Sequence, residues 1–85
     1  MARAPIDQSQ WQAWIDHVCQ ALGVDPADVD VRAIHDLTGQ IANEYERPMA
    51  PVAAHLWGIA RARGVEPAEA AETLVAAARD AGGAA

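Results

Sequence analysis

The side chains able to do chemistry in this chain are few and scattered. Three histidines, His17, His35 and His55, stand near the borders of three apolar runs, with no His-x-x-His or Cys-x-x-Cys spacing among them. Zinc needs three or four ligands converging on one point, so that spacing supports no metal site and no cofactor is expected. Cys19 sits inside an apolar stripe, where a thiol is ordinarily inert. Ser9 is the only serine and reads as a helix cap. His35 and Asp36 are adjacent, and on a helix neighbours point about 100° apart, so they cannot act as a dyad. Twelve acids supply many carboxylate pairs but single out none for acid–base work. With no glycine-rich phosphate loop either, the residues point away from catalysis.

One stretch stands apart: "RPMAPVAAHLWG" at 47–58. Pro48 and Pro51 fix two backbone φ angles, predicting a stiff elbow that is extended through Met49 and Ala50. Arg47, held outward, could pair with a carboxylate or phosphate. If Val52, Leu56 and Ile59 face the core, Trp57 is turned away from it and partly exposed. An exposed Trp beside Met49 has the composition of an interface hot spot. Arg47, Met49 and Trp57 are therefore the candidate partner-binding residues, and Pro48 and Pro51 the structural elbow.

The elements that must hold these residues are helical. Trp11, Trp14, Ile15, Val18, Cys19 and Leu22 recur at helical spacing, with Ser9 and Gln12 fitting a capping box and Asp7 an alternative cap one turn earlier. Gly23 suits a left-handed terminator, with Val24 folding back onto Cys19. "DPAD" at 25–28 predicts a short helical turn capped by Asp25. Asp30 then caps a helix along Val31, Ile34, Leu37, Thr38, Ile41 and Tyr45. The fourth helix follows "VEP" and has a small-residue seam of Ala70, Ala71, Leu74, Ala78 and Ala81, which permits close helix approach. "GVDPAD" at 23–28 and "GVEPAE" at 64–69 echo each other, as two tight helix–helix corners would.

These signals predict helices over 9–22, 31–46, 51–63 and 67–81. The predicted core is Trp14, Ile15, Val18, Leu37, Ile41, Leu56, Ile59 and Leu74. No strand signal occurs, so the expected fold is all-α, a compact bundle of four helices plus a short helical turn. Residues 1–8 read as an arm, 9–81 as a single helical domain and 82–85 as a flexible tail.

Composition narrows the function further. With 85 residues the chain is one small domain, burying only about 60–65% of its unfolded surface, so a partner or self-association would help it. Apolar residues make up 52% of the chain, far too many for disorder. No run approaches a membrane span, and one lone cysteine fits a reducing, cytoplasmic setting. A net charge of −6, with all six bases arginine, argues against a nucleic-acid backbone as partner. Small acidic helical chains include acyl carriers, but those share an Asp-Ser-Leu motif that is missing here.

"WIDHVCQALGVDPADVDVRAIHDLTGQIA" followed by "RPMAPVAAHLWGIA" resembles a small actinobacterial helical domain of unknown function associated with molybdopterin-guanine dinucleotide biosynthesis. The likeness covers about residues 11 to 64. It is carried by the corner at 22–26, the Asp36-Leu37 pair and the Arg-Pro-x-Ala-Pro elbow at 47–51. The chain departs from that pattern in "NEYE" at 43–46 and in Trp57, where a smaller aliphatic residue is common. That domain occurs alone or joined to the C-terminus of a molybdenum-cofactor guanylyltransferase. The resemblance implies a setting in molybdenum-cofactor metabolism and an accessory role. The leading expectation is a non-catalytic cytoplasmic helical module that binds a protein partner in molybdenum-cofactor maturation, with a homodimer as one form of pairing. The competing expectation is a ligand-binding or enzymatic domain that uses Arg47 to hold a phosphate of a pterin nucleotide.

Overall fold

The computed structural model describes residues 6–83. Among them there is no strand. There are four α-helices, α1 (Gln12–Leu22), α2 (Val31–Glu44), α3 (Ala50–Ala62) and α4 (Pro67–Gly83); a 3₁₀ turn at Gln8–Trp11 leads into α1, and two more, at Pro26–Asp28 and Arg47–Met49, lie between α1 and α2 and between α2 and α3. The fold is all-α, as the periodicity predicts. The chain divides into two compact units, one running to Ala33 and the other beginning at Ile34.

In the first unit α1 packs against the two 3₁₀ turns that flank it. The expected capping box is replaced by an earlier start. Asp7 Oδ1 accepts from the Ser9 N–H at 3.0 Å and opens the 3₁₀ turn, while Trp11, which precedes α1, offers no side-chain cap. This hydrogen bonding to Ser9, through side chain and backbone, holds the Asp7 carboxyl below its usual range. Its contribution is present above the ordinary carboxylate range and is lost as pH falls through the depressed value.

Gln8 does more than the arm expected at 1–8 would. Its amide donates to the Val29 carbonyl at 3.0 Å and accepts from the Val31 N–H at 3.0 Å. One side chain thus satisfies an orphan donor at the start of α2, beside the cap that Asp30 Oδ1 makes to the Ala33 N–H at 3.0 Å. Gln8→Ala should lower stability by about 1–2 kcal/mol, read from chemical denaturation, because both backbone groups lose a partially buried bond.

Both echoed corners use the same chemistry. At Gly23, φ is +70°, and the Gly23 and Val24 N–H groups reach Gln20 and Cys19 carbonyls; at Gly64, φ is +93°, with Gly64 and Val65 reaching Arg61 and Ala60. Each is a Schellman ending, which favours glycine because a Cβ strains the left-handed backbone. Asp25 then caps Ala27, and Glu66 accepts from Ala68 and Glu69.

In the second unit Leu37 and Ile41 of α2 are buried as the pattern predicts, and so are Ala70 and Ala78 of α4. Three expectations about faces need correction. Trp14 is 68% exposed while Ile15 and Cys19 are buried, with Val18 half-buried. On α3 the buried residues are Ala53 and Trp57, leaving Leu56 and Ile59 exposed. On α4 Val75 is buried, and Leu74 only half so. The physical reason is common to all three. Each helix is apolar over a wide arc, so periodicity admits more than one rotation, and tertiary packing selects the one that fits.

Boundaries also shift, and α1 proper begins at Gln12 rather than 9, after the 3₁₀ turn. α2 ends at Glu44 rather than 46, and α4 runs on through Gly83, so Gly82 and Gly83, expected in the tail, are helical. Positions 1–5 of the arm and 84–85 of the tail lie outside the described residues.

Candidate functional site

The elbow is wound more tightly than its prolines suggest. Extended geometry is confined to Glu46 (φ −139°, ψ 139°), after which Arg47–Met49 form a 3₁₀ turn and Ala50 is already helical. The Met49 N–H bonds the Glu46 carbonyl at 3.0 Å, closing the turn. Proline's fixed φ near −65° suits the opening of a helical turn, and Pro48 and Pro51 each stand there. The expectation of an extended chain through Met49 and Ala50 is thereby corrected. Pro48→Ala should lower stability by roughly 0.4–1 kcal/mol, through freedom regained by the unfolded chain, with a matching fall in the thermal midpoint.

Of the three candidate contact residues, Arg47 is exposed and Met49 half-buried. Trp57 is 6% exposed, which corrects the expected exposed indole. Its Nε1–H donates to the Pro67 carbonyl at 2.9 Å, and the Arg61 guanidinium lies 4.7 Å from its ring centroid. A Trp buries 150–250 Å² and needs a partner for its N–H. The start of α4 supplies the acceptor.

Burying Trp57 turns the opposite arc of α3 outward. Val52, Leu56 and Ile59, expected in the core, are 45%, 47% and 39% exposed. Between Val52 and Leu56 of this arc, the end of α2 and the C-terminal half of α4 lies an open groove of about 170 Å³. Its floor is Ile41, Ala53 and Ala78, which are buried. Its walls are Tyr45, Met49, Val52 and Leu56 on one side and Leu74, Ala77 and Ala81 on the other. The alanines of α4 leave the space, and nearly every lining atom is carbon or sulfur. Such a groove suits an apolar knob from another molecule, such as a leucine or an aromatic ring.

The groove was not visible in the sequence as a site. Its one signal is that α3 carries apolar residues on two faces, at 53 and 57 and at 52, 56 and 59, whereas a surface helix ordinarily carries one. The chemically capable residues are not gathered. His17, His35 and His55 are each exposed, and among the described residues no three His, Cys, Asp or Glu side chains form a metal-holding group. Cys19 is buried. No helix among the described residues is long and apolar enough to cross a membrane.

Fold and site together define a small all-α domain whose distinguishing feature is an apolar groove beside an exposed apolar helix edge. The chain belongs to the family described as Domain of unknown function (DUF6457), whose model matches residues 7–85. Neither the curated proteins nor the solved structures compared with it gave a match.

Proposed function

We propose that this protein is a non-catalytic interaction module that acts in the cytoplasm and binds a protein partner in molybdenum-cofactor maturation. The observation that carries the interaction reading is the groove between α2, α3 and α4 with its exposed Val52 and Leu56 wall. Scattered surface apolar residues need no explanation, but a contiguous apolar recess does, and protein interfaces centre on such recesses. Arg47 and Met49 belong to this reading as rim and wall, while Trp57 supports the wall from behind. The molybdenum-cofactor setting rests on the sequence resemblance over about residues 11 to 64.

The test is a titration of the purified chain against a molybdenum-cofactor guanylyltransferase from the same genome, with no pterin nucleotide added. A stoichiometric complex is expected, weakened by Leu56→Asp. Two outcomes would replace the reading: no complex at all, or binding of the pterin nucleotide alone that Arg47→Ala abolishes. The second outcome would instead make Arg47 a phosphate ligand.

A further inference from the structure

We draw no further inference here: the strongest candidate, the exposed apolar edge of α3 at Val52, Leu56 and Ile59, is an unpartnered helix face, and nothing in the structure shows what covers it.

Discussion

Trp57→Ala is expected to unfold the protein or leave it barely folded. Truncating a buried aromatic removes about 3–5 kcal/mol. A domain of this size has roughly 5–15 kcal/mol in total. Two further losses add to the cavity. The indole N–H no longer reaches the Pro67 carbonyl at 2.9 Å, and Arg61 loses the ring 4.7 Å from its guanidinium. Trp57→Phe separates these contributions. It keeps most of the packing but gives up the hydrogen bond, and should cost about 1–2 kcal/mol. Arg61→Ala should cost about 0.5–1 kcal/mol, the worth of a partly exposed cation over a ring. Urea denaturation of the three variants measures all of this. A Trp57→Ala protein as stable as wild type, with weakened association alone, would put the indole in an interface and overturn the core assignment.

The second large effect is expected at Gly82. A methyl group there would fall inside contact distance of the Glu44 carbonyl oxygen, with the Tyr45 backbone also near. Both obstacles are main chain, so no side-chain rotation relieves the clash. The end of α4 must lift away from the end of α2. Gly82→Ala should therefore destabilise by about 1–3 kcal/mol, the usual range for overpacking. It should do so although alanine is the better helix former by about 1 kcal/mol. Gly83→Ala is the control. Nothing lies within 4 Å of the position its Cβ would take, so the substitution should be neutral or slightly stabilising. Opposite signs at neighbouring glycines in thermal melts would establish the close approach. Equal signs would remove it. The Arg79–Glu44 pair at 3.5 Å spans the same junction, but both side chains are exposed, and it should contribute about 0.5 kcal/mol or less.

Much of the local chemistry was legible in the linear chain, although the start of α1 and the 3₁₀ winding of the elbow were not. Helix type follows from apolar spacing, and the two corners follow from glycine, valine, a capping acid and proline in that order. Those signals act between residues a few positions apart, so no tertiary partner is needed to read them. Asp25, Asp30 and Glu66 cap where their sequence positions say they should. The all-α class is likewise settled at this level, because nothing in the chain alternates with the period of a strand.

Helix rotation was decided elsewhere. α3 has apolar residues at 52, 53, 56, 57 and 59, enough for two buried faces, and periodicity alone prefers the one with more aliphatic side chains. The folded chain chooses the other. There the largest apolar group, Trp57, is buried and its N–H finds a carbonyl acceptor at Pro67, the first residue of α4. That acceptor belongs to a different helix, so it does not enter a pattern counted along α3. The same choice exposes Val52, Leu56 and Ile59 and opens the groove. The candidate site therefore exists because tertiary packing spent α3's indole on the core and left its aliphatic edge outside.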